Sequence, residues 1–230
     1  MEYESELYAG KVKTVYGNSI IDVETPDGRC ESAFCGAVEV MDLCQEGTPV
    51  LLLAPNSDNR IIKYNVLFIK TLSGWVFADP KYNRALFKEA FVGKRMPDLS
   101  AYKGCRPLKA TEAKGIDFEL TTAEGKKAFV YVTSIYYKKG EYATFPQKMN
   151  FFEIEMLEEM KHKKESGADA FILLIAPRED CIKAKFVWDI DPAAAAAMYD
   201  AKQAGVNFVC YGCQITDNGI KLDNKMEISY

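Results

Sequence analysis

Two short segments in the middle of the chain carry the residue types closest to a hydrolytic site. Asp117 and Glu119 alternate in the first segment, and Tyr131 and Thr133 alternate in the second. Side chains two positions apart lie on one face of a β-strand, so each pair shares a face. An acid on one strand and an acid-x-Lys on the next would hold Mg²⁺ and activate a water for phosphodiester attack.

The second segment lacks the charged groups that this chemistry needs. Tyr131 and Thr133 offer a phenol and an alcohol, which are uncharged at neutral pH and replace neither a carboxylate ligand nor a lysine. Asp117 and Glu119 remain a candidate metal-binding pair, although a hard cation needs several oxygen ligands and such acids are more often solvated or paired with lysine. The sequence predicts the frame of a metal site with half of its chemistry missing.

A β-hairpin must position these four residues. Residues 116–120 and 128–133 are runs of β-branched and aromatic residues, and the polar segment 123–125 between them contains Glu and Gly. This pattern is typical of two antiparallel strands joined by a short turn.

Helices and a buried strand follow the hairpin. The apolar run at residues 170–176 predicts a central strand, and residues 150–165 predict an amphipathic helix with acids first and bases last. Asp191 and Pro192 are typical of a helix start, and Gly205 of its end. The second half therefore predicts an α/β domain around a mixed sheet.

Short strands dominate the first third of the chain. The turn Thr25-Pro26-Asp27-Gly28 separates two of them, because Pro presets φ and Gly tolerates a positive φ. The predicted strands are residues 11–16, 19–24, 29–33, 49–53 and 61–72. Five short strands in this length favour a small barrel of the oligonucleotide-binding (OB) type.

A switch from strand to helix marks the predicted domain boundary. Residues 80–92 have helical periodicity and Gly93 follows them. We therefore expect an α+β chain, with an OB-like barrel at residues 1–78 and an α/β domain at residues 79–230.

Composition narrows the class of protein. The 230 residues carry a formal net charge of −4, so any attraction to nucleic acid must come from a local basic surface. Seven cysteines at irregular spacing and no export-type segment predict a cytoplasmic protein with reduced thiols. No apolar run is long enough to cross a bilayer, so no membrane association is expected.

A local basic surface is expected around the hairpin and its approach. The basic side chains are Lys103, Arg106, Lys109, Lys114, Lys126, Lys127, Lys138 and Lys139, and the interleaved aromatic ones are Tyr102, Tyr136, Tyr137 and Tyr142. Together they predict weak binding of DNA or a single-stranded nucleic acid, with bases stacking on tyrosine. A solvated lysine-rich surface is the competing interpretation.

Cys210 and Cys213 have the spacing of a zinc or redox pair. They lie in a predicted strand without a second pair, and the only histidine, His162, is in a charged helix end. Buried cysteines that behave as small apolar residues are the better interpretation.

A series of short sequence words resembles the sugar fermentation stimulation protein family over nearly the whole chain. The words are Asp22-Val23-x-Thr25-Pro26-Asp27-Gly28-Arg29, Ser57-Asp58-Asn59, Lys88-Glu89-Ala90, Leu99-Ser100-x-Tyr102, Ile116-Asp117-Phe118, Phe145-Pro146, Asp189-Ile190-Asp191-Pro192, Ala204-Gly205-Val206 and Gly219-Ile220-x-Leu222. The resemblance implies an OB-like domain followed by a PD-(D/E)xK nuclease-like domain, in a family associated with DNA binding and nuclease activity.

The resemblance also assigns site positions. Asp117 matches the family's metal-binding aspartate, and Glu89 matches the acid of the preceding helix. Tyr131 and Thr133 stand where the family has Glu-x-Lys. The family's Arg-Gly-x-Lys-His word reads Phe-Glu-Ile-Glu-Met at residues 152–156.

Two further polar words of the family are also altered. Its Phe-Pro-Asp-Ala word reads Phe145-Pro146-Gln147-Lys148, and its His-Cys-Pro-Asn-Thr-Gly word reads Phe-Cys-Gly-Ala-Val-Glu at residues 34–39. The sequence motifs that mark the fold are kept, and the polar motifs associated with function are lost. The sequence therefore favours a catalytically degenerate family member, with no intact catalytic residues and weak nucleic-acid binding.

Two alternatives stay open at this stage. One is a divalent-metal-dependent nuclease that uses relocated residues and Mg²⁺, with an acid from Glu141, Glu153 or Glu155 and a lysine from Lys138, Lys139 or Lys148. The other is a protein-interaction scaffold whose old cleft is filled by Tyr131. No cofactor is predicted unless the site is functional, and the sequence leaves homo-oligomer formation open.

Overall fold

The computed structural model describes residues 1–3, 6–54, 61–216 and 219–230. It divides the chain into two compact units. The first comprises Met1–Tyr82, Pro177–Asp180 and Ile215–Ile220, and the second comprises Asn83–Ala176, Cys181–Gln214 and Lys221–Tyr230. The word Ser57-Asp58-Asn59 lies outside the described residues.

The first unit contains a closed barrel of short strands. Its strands are β1 (Leu7–Tyr16), β2 (Ile20–Glu24), β3 (Cys30–Phe34), β4 (Pro49–Leu53), β5 (Tyr64–Thr71) and β6 (Gly74–Phe77). They pair in the order β3-β2-β1-β4-β5-β6, and a parallel pairing of β3 with β5 closes the first five into a ring. A 3₁₀ helix at Val38–Leu43 joins β3 to β4. This is the five-stranded OB-like barrel that the sequence predicts.

Strand β1 is longer than predicted, and it pairs with two neighbouring strands. Its first half pairs with β4 and its second half with β2, and the register shifts between Val12 and Thr14. Gly10 lies in the first half, where an added Cβ would stand 3.3 Å from Leu52 Cδ1. Between β2 and β3, Gly28 has a φ of 79°, as the predicted turn requires.

The main sheet of the second unit has six strands. In spatial order they are β15 (Gly219–Met226), β14 (Asn207–Thr216), β12 (Asp169–Ala176), β9 (Lys127–Ser134), β8 (Phe118–Thr122) and β7 (Tyr102–Pro107). Strand β12 is central and pairs in parallel with both neighbours, and seven of its eight residues are buried. Strands β8 and β9 form the predicted antiparallel hairpin.

The α-helices described in the second unit are α1 (Asn83–Val92), α2 (Ala110–Ala113), α3 (Phe151–Glu165) and α4 (Pro192–Gln203), with a short 3₁₀ helix at Pro97–Leu99. A 3₁₀ helix at Pro80–Tyr82 belongs to the first unit. Asn150 caps α3, and Asp191 Oδ1 accepts hydrogen bonds from the N–H groups of Ala193 and Ala194 at the start of α4. Among the helices described, none has the length and apolar content that a membrane crossing requires.

A second, four-stranded sheet was not predicted. It has the order β10 (Lys138–Lys139), β11 (Tyr142–Phe145), β13 (Lys183–Phe186) and β16 (Ile228–Ser229). Its strands are two to four residues long, and three of them pair with segments distant in the chain. Local sequence patterns carry little information about such strands, because non-local pairing and burial stabilise them.

Candidate functional site

Asp117 is a buried carboxylate with both oxygens occupied. It directly precedes β8 and is 8% exposed. Oδ1 accepts a hydrogen bond from Arg84 Nη1 at 2.7 Å, and Oδ2 accepts one from the Val132 N–H at 2.8 Å. Burial raises the pKa of Asp117, and the Val132 N–H and the Arg84 charge offset this only in part. The carboxylate is therefore the buried member of a close ion pair, in which the Arg84 side chain is 43% exposed.

Arg84 is the residue that sequence reasoning missed. It lies in the first turn of α1, and its Nη2 donates to the Leu108 carbonyl at 2.9 Å. Its guanidinium also lies 5.0 Å from the centre of the Phe118 ring. These contacts hold a permanent positive charge against Asp117. No local sequence pattern identifies Arg84. The family resemblance points instead to Glu89, five positions later on the same helix.

Tyr131 and Thr133 share one face of β9, as the alternation predicts. Burial alternates along the strand, with both residues on its less buried side. The Tyr131 hydroxyl donates to Glu153 Oε1 at 3.3 Å. Burial, followed by the negative charge of Glu153, raises the pKa of Tyr131, so its phenol stays protonated at neutral pH.

A cavity of about 430 Å³ opens beside Tyr131. Its other lining residues are Lys114, Gly115, Asn150, Phe152, Glu153, Glu155 and Met156. The amine of Lys114 lies 3.4 Å from Glu159 Oε2, and Glu153 also accepts a hydrogen bond from the Asn150 N–H. Of the acids that line this cavity, Glu153 is hydrogen-bonded to Tyr131 and to the Asn150 N–H.

The other predicted acids have partners of their own. Glu89 lies 3.0 Å from Arg95, and Glu119 lies 3.2 Å from Lys127 and 3.5 Å from Arg106. Glu89, Glu119 and Asp117 therefore neutralise three different sets of basic side chains. Within the described part of the chain, no three His, Cys, Asp or Glu residues form a group that could hold a metal ion. The three predicted acids therefore do not converge on a Mg²⁺ site.

A buried polar network lies next to the ion pair. The Ser134 hydroxyl donates to Asn83 Oδ1 at 2.8 Å, and both residues are less than 9% exposed. The Gln147 amide accepts from the Tyr136 N–H and donates to the Ser134 carbonyl at 3.2 Å. Gln147 stands in the altered Phe-Pro-Asp-Ala word, so this position now satisfies backbone groups of a neighbouring strand and loop.

The predicted basic residues do not lie on a single sheet. Four of them, Lys103, Arg106, Lys126 and Lys127, lie along β7 and the β8–β9 turn, and we call them the hairpin cluster. Lys126 lies 2.6 Å from Asp169 and Lys127 lies 3.2 Å from Glu119, and the two acid side chains are only 18% and 13% exposed.

The remaining predicted basic residues lie elsewhere. Lys109 precedes α2, whereas Lys138 and Lys139 form β10 of the four-stranded sheet. The sequence predicts one basic surface, whereas these residues lie on separate elements of the structure.

The cysteine pair is buried in β14. Cys210 and Cys213 are at most 8% exposed, and Cys210 Sγ lies 3.9 Å from Met226 Sδ. Burial raises the pKa of both thiols, which keeps them protonated. This supports the interpretation that they are small apolar residues.

Comparison with known proteins places these features in a family. Residues 81–219 match the family model described as the sugar fermentation stimulation protein RE domain. A sugar fermentation stimulation protein homolog of Roseobacter denitrificans is 29% identical, with 99% of each chain covered. The homolog of Maricaulis maris is 26% identical, with 99% of this chain and 98% of the relative covered.

A solved structure extends the likeness to the fold of both units. Pyrococcus furiosus SfsA in complex with Ca²⁺ superposes with a TM-score of 0.84 at 18% identity, over 100% of this chain and 98% of that one. The predicted fold class is therefore confirmed, an OB-like barrel followed by a nuclease-like mixed-sheet domain. This chain belongs to the sugar fermentation stimulation protein family.

Proposed function

We propose that this chain binds nucleic acid and does not hydrolyse it. The observation that supports the loss of hydrolysis is the Arg84–Asp117 ion pair. Asp117 is the one acid that matches the family's metal position on the hairpin, and a guanidinium 2.7 Å away already neutralises it. A divalent cation entering there would meet a fixed positive charge and would have to displace a hydrogen-bonded partner.

The two altered positions on β9 support the same conclusion. An acid at position 131 would supply a metal ligand, and a lysine at position 133 would stabilise negative charge on the reacting phosphate. Removing one such electrostatic group commonly costs an enzyme about 3 kcal/mol of transition-state stabilisation. Tyr131 and Thr133 replace both groups with hydroxyls, and the Tyr131 hydroxyl is already hydrogen-bonded to Glu153.

Binding without cleavage is supported by the fold and by the distribution of charge. The barrel has the OB-like topology, which serves oligonucleotide recognition in many proteins. Basic side chains lie on two sheets of the second unit, although the chain as a whole carries a formal net charge of −4. We therefore expect weak binding that depends strongly on salt concentration.

A second candidate function is a metal-dependent nuclease with a relocated acid. The observation that favours it is the position of Glu153, which contacts Tyr131 and lines the cavity beside it. The Ca²⁺ complex of the Pyrococcus furiosus relative supports a divalent cation as the ligand to test. In this chain the cation would require Asp117 to be released from Arg84.

One pair of assays separates these functions. Fluorescently labelled single-stranded and duplex DNA are incubated with the purified chain at 20 mM and 200 mM salt, with EDTA, Mg²⁺ or Mn²⁺. We expect a mobility shift at low salt that weakens at high salt, and intact DNA under every metal condition. Metal-dependent cleavage that is lost in Asp117→Asn would reject our proposal in favour of the nuclease. Absence of any shift at low salt would reject nucleic-acid binding and favour the protein-interaction scaffold.

A further inference from the structure

The four-stranded sheet has one apolar face and one basic face. Side chains alternate along β13, where Ala184 and Phe186 are buried, Lys183 is partly exposed and Lys185 is exposed. In β11, Tyr142 is partly exposed and the next three residues are buried. The apolar buried side chains, Ala143, Phe145, Ala184 and Phe186, belong to the core of the second unit. Thr144 is also buried, although it lies on the same face as Tyr142. The opposite face presents lysine and tyrosine to solvent.

Strand register brings these residues together. Tyr142 is paired with Lys139 across the antiparallel β10–β11 ladder and with Lys183 across the parallel β11–β13 ladder. Directly paired residues point to the same side of a sheet, so the three side chains form a row across three strands. Lys185 follows Lys183 on the same face, about 7 Å further along the strand. We call Lys139, Tyr142, Lys183 and Lys185 the lysine–tyrosine face.

Two ammonium groups lie over one aromatic ring in this face. The Nζ atoms of Lys183 and Lys185 are 6.0 Å and 5.9 Å from the centre of the Tyr142 ring. Such cation–π contacts are weak at exposed sites, and lysine stems are flexible. The amines can therefore move to phosphate groups while a base takes their place on the ring.

Two lysines of this face form only long ion pairs with nearby acids. Lys183 lies 3.9 Å from Glu141, and Lys139 lies 3.8 Å from Asp189, with both members of the second pair more than 70% exposed. Long, exposed ion pairs contribute little and are easily exchanged for another anion. Lys126 and Lys127 of the hairpin cluster are bound more tightly, to acids that are mostly buried.

We infer that the lysine–tyrosine face is the surface that binds a single-stranded nucleic acid. Tyr142 stacks on one base, and the three lysines contact the neighbouring phosphates. A single strand fits this arrangement because its bases can leave their stack, whereas those of a duplex are paired inside the helix. The inference rests on the proposed function and specifies where binding occurs and which nucleic acid is preferred.

Fluorescence anisotropy with a labelled 12-nucleotide single strand tests the inference, and duplex DNA is the competitor. Tyr142→Ala is expected to weaken binding by about 5- to 150-fold, as the loss of one base stack implies, whereas Tyr142→Phe retains affinity. The double variant Lys183→Ala with Lys185→Ala is expected to reduce the salt slope of the binding constant by about 1.4.

The matched control is Lys126→Ala with Lys127→Ala, which removes two lysines from the hairpin cluster. Circular dichroism and thermal melting check that each variant folds. Loss of binding in the control but not in the lysine–tyrosine variants would overturn the inference and leave the proposed function intact. Equal affinity for single strand and duplex would also overturn it. Absence of binding by the unaltered chain would instead overturn the proposed function itself.

Discussion

Two charged regions of the second unit differ in how firmly their charges are held. Around Asp117, the opposing groups are 2.7 Å apart and the carboxylate is buried. On the lysine–tyrosine face, the ion pairs are 3.8 Å and 3.9 Å long and reach into solvent. In the first arrangement the two charges neutralise each other at close range, whereas in the second the lysines have only long, exposed partners. The number of charged residues in a segment therefore says less about binding than the burial and distance of their partners.

The largest expected effect comes from breaking the Arg84–Asp117 pair, whose carboxylate is buried and whose guanidinium is partly exposed. Arg84→Ala leaves the Asp117 carboxylate without its charge partner, and we expect a loss of about 2 to 3 kcal/mol in the free energy of unfolding. Urea denaturation at pH 7 measures the change. The double variant Arg84→Ala with Asp117→Asn should be more stable than Arg84→Ala alone, because a neutral amide needs no counter-ion.

The pH dependence sharpens this test. Burial raises the pKa of Asp117 in the folded state above its value in the unfolded chain. Ionisation of this carboxyl therefore destabilises the folded state as the pH rises above the pKa of the unfolded chain. Without Arg84 that cost increases. The penalty of Arg84→Ala should therefore be larger at pH 7 than at pH 4, where more of the carboxyl is protonated. A penalty below about 0.5 kcal/mol at both values would show that the pair is not structural.

Replacing Asp169, which forms an ion pair with Lys126 of the hairpin cluster, is expected to give the next largest change in the free energy of unfolding. Burial opposes its ionisation, but hydrogen bonds from Lys126, Tyr102 and Lys164 lower its pKa to about 2. A lowered pKa stabilises the folded state at pH values above the pKa of the unfolded chain, which is near 3.8. This stabilisation is lost as the pH falls towards 2. Asp169→Asn should cost about 1 to 2 kcal/mol at pH 7.

Denaturant titrations of the unaltered chain and of Asp169→Asn, taken from pH 7 to pH 2, test this prediction. The two stability curves should converge at the acidic end. A constant difference across the whole range would mean that the carboxylate charge is not the stabilising group.

The smallest expected effect belongs to the lysine–tyrosine face. Lys139→Ala and Lys183→Ala should each change the free energy of unfolding by less than about 0.5 kcal/mol, because their ion pairs are long and exposed. Thermal melting and urea denaturation provide the measurement. A loss comparable to that of Arg84→Ala would remove the distinction between the two regions.

Local sequence signals predicted the elements that are determined by residues close together in the chain. Asp191 caps α4 as predicted, and Gly28 adopts the positive φ of its turn. The run at 170–176 is the buried central strand. These features are predictable because a cap, a turn or an apolar run acts within a few residues.

The candidate site was less predictable because its key contacts are non-local. Arg84 reaches Asp117 across 33 positions, and Ser134 reaches Asn83 across 51. The family resemblance identified Asp117, Tyr131 and Thr133 but not the guanidinium that binds the aspartate. The pairing of Tyr142 with Lys183 likewise depends on a short parallel ladder that no local pattern indicates.

The guanidinium of Arg84 also affects how the protein responds to its surroundings. Proteins that bury acids around a bound cation lose stability when chelators remove the ion, because like charges are left facing one another. Here a covalently attached side chain supplies the positive charge beside Asp117. If the proposed function is correct, the hairpin should therefore keep its geometry whether magnesium is abundant or scarce.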